Sequence, residues 1–435
     1  MRRKWFLTLM INLIVISLAL TPIVAAQNRI PLTFWYSLGG ASSAAIQELV
    51  FKFNQSQDKY ELTAEYQGSY NDSLLKFTST PTAQRPDVIH INEIGTATIL
   101  DMGDYYPIQD FIDNGQLDIS PYMTNVLNAY RYSGKMYAFP FSITVPAIYY
   151  NQEAFEKAGI DPSTLATYKG FSEASKKLVS SGVTEYGACI VNDTWIYEQL
   201  MASMNLDIVD NGNGRQGRAT KLVADENGAL NTVLSLMKEF NDEPTTFVAT
   251  KSLEARTAFA SQQVGMYIET AGNYGVTKQI VEDAFTIQQK PLFRLDGYEN
   301  GLPYASGAAL WVVDKGNAQK ASGVIEFIKF FMEQENQVEF ALATGYLPIR
   351  EDVINDERYQ DYVTNVNPGN WEIVEELIES TWPGGALFGS LGEFRRVVNS
   401  QILAMHDDKK LTVDKVIKEV TNSINEQIML YNLSN

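Results

Sequence analysis

One cysteine, two histidines and a shortage of positive charge mark this 435-residue sequence, and each scarcity removes a class of function. The lone Cys189 can form no internal disulfide, which excludes a disulfide-built scaffold. In the apolar run Ala188-Cys189-Ile190-Val191 it reads as a small buried hydrophobe. His90 sits within the apolar run Val88-Ile89-His90-Ile91, and His406 in the polar run His406-Asp407-Asp408-Lys409-Lys410. No His/Cys spacing therefore suggests zinc. No glycine-rich nucleotide loop follows a strand, so no cofactor is expected. A serine–histidine–acid triad could be drawn only through His90, and adjacent acids such as Glu375-Glu376 do not share one helix face. An enzyme is not expected. With 34 lysines and arginines against 52 acids the formal charge is −18, a balance that repels nucleic acid and anionic membranes. Asp210-Asn211-Gly212-Asn213-Gly214 is turn chemistry, since its carboxylates do not recur at calcium-loop spacing.

Long apolar runs are also missing, except at the beginning. Arg2, Arg3 and Lys4 precede the uncharged, mostly apolar stretch Trp5–Leu20, and Val24-Ala25-Ala26 then offers small residues. That order predicts a secretory leader cleaved near Ala26 and a periplasmic or other extracytoplasmic location. The alternative is a membrane anchor, for which the stretch is marginal against a hydrocarbon core of about 30 Å. No cysteine stands at the cleavage point to carry a lipid. Cleavage would leave 409 residues with a charge near −21, too many for one ordinary core and comfortable for two lobes.

What is present is alternation. Pro31–Tyr36 reads as a strand, and Ser42–Asn54 as a helix with Ile46, Leu49, Val50 and Phe53 on one face. Tyr60–Tyr66 reads as a strand, Leu74–Thr78 as helix and Asp87–Ile91 as a third strand. This order predicts a mostly parallel sheet covered by helices, with ligands beyond the carboxyl ends of its strands. The loops starting at Ser37, Gly68 and Asn92 then share one functional edge. Tyr137–Asn151 is too long and too proline-punctuated for one central strand and suits a passage between lobes. A second α/β pattern follows, including a helix at Leu230–Phe240 and a strand at Val264–Ile268. Leu302–Val313 reads as a return strand and Ala318–Ala343 as helix with Phe327, Phe330, Phe331 and Phe340 on an aromatic face. Val413–Ile428 reads as a helix docked along one apolar stripe.

Several short segments are spread along the chain: Phe34-Trp35-Tyr36-Ser37, Tyr66-Gln67-Gly68-Ser69-Tyr70, Glu93-Ile94-Gly95-Thr96-Ala97-Thr98, Pro140-Phe141 with Pro146 and Tyr149-Tyr150-Asn151, and Gly307-Ala308-Ala309-Leu310-Trp311-Val312. Thr344-Gly345-Tyr346-Leu347-Pro348-Ile349 and Gly389 with Phe394-Arg395 complete the set. Together they resemble the extracellular solute-binding proteins of ABC importers, above all the periplasmic sn-glycerol-3-phosphate-binding branch. The resemblance implies an α/β fold of two discontinuous lobes around a hinged cleft, with 27–142 and 304–348 in one lobe and 143–303 and 349–435 in the other. It implies a monomer that captures a phosphorylated polyol or a sugar and delivers it to permease subunits.

The same resemblance implies a site. Arg395 would clasp the phosphate, assisted by the Tyr346 hydroxyl and the Gly307 N–H. Tyr70 and Glu93 would hold the ligand from the first lobe, Glu93 accepting from glycerol hydroxyls, and Trp195 would pack on the glycerol carbons. Thr144 and Thr270 stand where the family has serines. Asn192 stands where the family has a second tryptophan, which opens volume and would admit a glycerophosphodiester or a different polyol phosphate. An oligosaccharide receptor and a secreted glycerophosphodiester hydrolase are the rival readings.

Overall fold

A computed structural model describes residues 29–435, so the expected leader at 1–26 lies outside the described residues. The chain opens with β1 (Ile30–Tyr36), whose alternate residues bury Leu32 and Phe34, and α1 (Gly40–Ser56), which lays Ile46, Leu49, Val50 and Phe53 on it. β2 (Tyr60–Tyr66), α2 (Tyr70–Ser79), β3 (Val88–Asn92) and α3 (Glu93–Met102) repeat the pattern. The chain then returns to the same sheet as β4 (Phe139–Thr144) and leaves it as β5 (Pro146–Asn151). Next come β6 (Tyr186–Ile190), α4 (Thr194–Ser203), β7 (Val264–Thr270), β8 (Ile287–Pro291) and β9 (Ser306–Val313). Four of the later helices are α5 (Ala318–Met332), α6 (Gln334–Thr344), α7 (Leu391–Asp407) and α8 (Val413–Ser434).

Two sheets result. The first runs β2-β1-β3-β9, and β9 also pairs with β4 and with Tyr105–Tyr106. The second runs β8-β5-β7-β6. The molecule is accordingly two-lobed and α/β. The sheets are mixed rather than mostly parallel: β1 runs parallel to β2 and β3, but β9 lies antiparallel to every neighbour. A return strand coming back from the second lobe enters from the opposite end, which forces that direction. The long proline-punctuated segment is thus two strands, each in its own sheet, and the change of sheet falls at Val145. β9 starts at Ser306, later than the apolar run beginning at Leu302.

Local chemistry explains the other boundaries. Ser69 and Asp72 form a capping box that starts α2 at Tyr70. β3 runs directly into α3, and a Cβ at Gly95 would lie 2.7 Å from the Ile91 side chain, so only glycine permits that close turn. The helical stretch 318–343 is broken in two at Glu333, which adopts an extended ψ of 138° while Asn336 Nδ2 donates to the Phe330 carbonyl. α8 docks through Val416, Val420, Ile424 and Ile428, a strict four-residue stripe. Cys189 is fully buried on β6, and burial pushes its thiol well up. Native protein is therefore expected to resist thiol-reactive reagents over hours, with one equivalent reacting after denaturation; rapid native labelling would contradict that placement.

Candidate functional site

The expected residues converge where the two sheets meet. Because Ser306 pairs with Thr144 and Gly307 with Ile143, the start of β9 and the end of β4 form one floor. β7 ends beside it, with Thr270 opposite Pro146. Thr144 Oγ1 lies 2.7 Å from Thr270 Oγ1 and accepts the Gly272 N–H at 3.0 Å, which ties the first sheet's edge to the second's. Tyr149, on β5, donates to the Thr270 carbonyl at 2.7 Å. Tyr346 follows α6, its ring stacked on Phe340 at 6.0 Å, and the next residue, Leu347, donates its N–H to Ile143.

Arg395 reaches this floor from α7. Its Nε and Nη2 donate to Oε1 and Oε2 of Glu198 at 2.7 and 2.8 Å, a bidentate pair, and Nη2 also faces Glu93 at 3.7 Å. Glu198 stands on α4, a helix whose every residue is buried, and is 1 % exposed. Tyr304 donates a further bond to it at 3.3 Å. Burial opposes the Arg395 charge, and Glu198 more than restores it, so the guanidinium sits above its ordinary range. Thr194 and Asn192 hold α4 against α7: Thr194 Oγ1 donates to Asn399 Oδ1 at 2.6 Å, and Asn192 Nδ2 donates to the Asn399 carbonyl at 2.9 Å. Asn192 is thus a strut between helices.

Glu93, in the first turn of α3, accepts from the Ser306 hydroxyl and from the Gly307 N–H at 3.3 Å. An acid there is also favoured by the helix dipole. Trp195 donates its indole N–H to Ser306 Oγ at 2.7 Å. The Gly307 N–H and Glu93 thus satisfy one another in this arrangement, and the Arg395 fork is filled by Glu198. Beside Glu93 a cavity of about 20 Å³ is also lined by Tyr130, Tyr137, Arg215 and Ser306, room for little more than one water. The lobes are drawn together.

Tyr70 opens α2, and its ring lies 5.5 Å from that of His90; burial raises its phenol well above the ordinary range. Behind it, His90 Nε2 shares a 2.9 Å hydrogen bond with Ser142 Oγ, and its Nδ1 has no partner among the described residues. Burial lowers His90 to about 3. From pH 6.5 downward the unfolded chain takes up a proton that the folded chain refuses, so stability falls as pH falls. The loss expected from this group is about 2 kcal/mol between pH 7.5 and pH 5. Denaturant midpoints should fall less steeply over that range in His90→Asn; equal slopes would contradict the burial of a neutral imidazole.

Four residues of this site escape sequence reasoning: Ser142, Glu198, Arg215 and Ser306. Glu198 alone leaves a trace, as the one acid within the buried helix Thr194–Ser203.

The family model described as bacterial extracellular solute-binding protein matches residues 48–367. The chain belongs to that family. Solute-binding proteins of this kind bind small ligands and work with the permease subunits of ABC importers. Among relatives of this solute-binding protein, the sn-glycerol-3-phosphate-binding periplasmic protein UgpB of Brucella melitensis is 27% identical over 421 residues, covering 92% of this chain and 95% of the relative. The protein of that name from Salmonella typhimurium is 26% identical over 408 residues, covering 91% of each. Among solved structures, UgpB from Mycobacterium tuberculosis in complex with glycerophosphocholine superposes with a TM-score of 0.74 at 19% identity, over 93% of this chain and 99% of that one. The GacH receptor of Streptomyces glaucescens, solved with acarbose, also gives 0.74, at 18% identity over 93% and 99%. These two likenesses establish the fold.

Proposed function

We propose that this solute-binding protein captures sn-glycerol-3-phosphate or a glycerophosphodiester by closing its lobes around it, and hands it unchanged to an ABC permease. The observation that supports the reading best is the position of Arg395. It is a buried guanidinium on the second lobe that faces Glu93 of the first. A planar fork suits phosphate oxygens, and Glu93 and Tyr70 suit glycerol hydroxyls. Lobe opening would part Arg395 from Glu93 and Trp195 from Ser306, and ligand would replace these contacts on closure. Export with cleavage near Ala26, action as a monomer and a periplasmic station belong to the same proposal.

The sugar reading draws on one observation, that Glu198 already fills the arginine fork. Calorimetry with sn-glycerol-3-phosphate, glycerophosphocholine and maltose separates the two. Phosphate-ester binding that Arg395→Ala abolishes supports the proposal; tight maltose binding that survives Arg395→Ala overturns it. Release of choline from glycerophosphocholine by pure protein would instead reveal a hydrolase.

A further inference from the structure

We infer that Glu198 is a specificity-determining residue: its carboxylate cancels the charge of Arg395 and so selects a phosphodiester over a phosphomonoester. The inference rests on the glycerophosphate reading above and narrows it.

The geometry leaves little choice about what Glu198 does. Both of its oxygens accept from Arg395, at 2.7 and 2.8 Å, and it is almost wholly shielded from water. A bare arginine would offer a full positive charge to an incoming phosphate. This one is met by a carboxylate inside the protein, and a second carboxylate, Glu93, faces it at 3.7 Å. A further cation, Arg215, lines the small cavity beside Glu93. Its Nε and Nη1 donate to the Gly385 and Ala129 carbonyls, at 2.8 and 3.2 Å, and it has no carboxylate partner among the described residues. Arg215 therefore offsets Glu93, Glu198 offsets Arg395, and the cleft is close to neutral.

A neutral cleft discriminates between ligand charges. A phosphomonoester has a second pKa near 6 and is a dianion at pH 8, whereas a diester remains a monoanion. Inside a water-poor site each unit of uncompensated charge a few ångströms away is worth a factor of ten or more in affinity. The monoester brings one more negative charge to Glu198 and Glu93 than the diester does.

The test is calorimetry at pH 8 and fixed ionic strength on the mature protein and on Glu198→Gln, which keeps the shape and one acceptor. The ligands are sn-glycerol-3-phosphate, glycerophosphoglycerol and glycerophosphocholine; the glycerol diester lacks a cationic head and so isolates the effect of phosphate charge. The wild type should bind both diesters at least ten-fold more tightly than the monoester, a result that needs no variant to fold. In Glu198→Gln the gap should shrink at least five-fold, through a gain in monoester affinity. Equal affinities in the wild type, or an unchanged gap in a folded Glu198→Gln, would overturn the inference while leaving the glycerophosphate reading in place. Binding of none of the three would overturn that reading itself, and this inference with it.

Discussion

Arg395→Ala should both unfold more easily than the wild type and lose its ligand. Removing the guanidinium leaves Glu198 buried, with only the Tyr304 hydroxyl to answer its charge. Breaking a buried pair from one side costs about 3–5 kcal/mol, far more than the pair contributes against apolar residues of the same volume. Urea unfolding should show that loss, and calorimetry should show affinity for a glycerophosphate reduced by more than about a hundred-fold. A paired substitution separates the two effects. Arg395→Met with Glu198→Leu removes both charges together and should recover most of the stability without recovering the affinity. If the double variant bound ligand as the wild type does, Arg395 would be a structural residue only.

The second large effect is expected at Gly307. Its φ of 115° lies in the region that side chains avoid, and an added Cβ would collide with the Ser142 carbonyl oxygen across the β4–β9 pair. Gly307→Ala must either move the start of β9 or break that pairing, at a cost of about 3 kcal/mol or more. Either shift also displaces Ser306, on which Glu93 and Trp195 both depend. The expected readout is a melting temperature lowered by several degrees together with at least ten-fold weaker ligand binding. A variant as stable as the wild type would mean that the floor of the cleft can flex, contrary to the close approach of Gly307 to the Ser142 carbonyl.

How much of this could be read from the sequence divides along a physical line. Elements fixed by their own periodicity were legible: Tyr60–Tyr66 coincides with β2, and the Val413–Ile428 stripe lies within α8. Elements fixed by distant partners were not. The apolar run from Leu302 does not show that pairing starts at Ser306, because β9 takes its register from β3 and β4 in the other part of the chain. Nothing in Met332-Glu333-Gln334 announces a break, since neither glycine nor proline marks it, and Asn336 supplies the cap from beyond. The site shows the same division. Arg395 and Glu93 sit in recognisable segments, but the carboxylate that fills the arginine fork lies 197 residues away from it. That pairing exists only once α4 and α7 are packed side by side, and it changes the charge that a ligand meets.

A phosphate ester of glycerol is what these lobes are proposed to close upon, and native mass spectrometry of the protein purified without denaturation tests this most directly. A bound species with the mass of a glycerophosphodiester is expected, absent when Arg395 is replaced by alanine. A bound oligosaccharide mass, retained in Arg395→Ala, would contradict it.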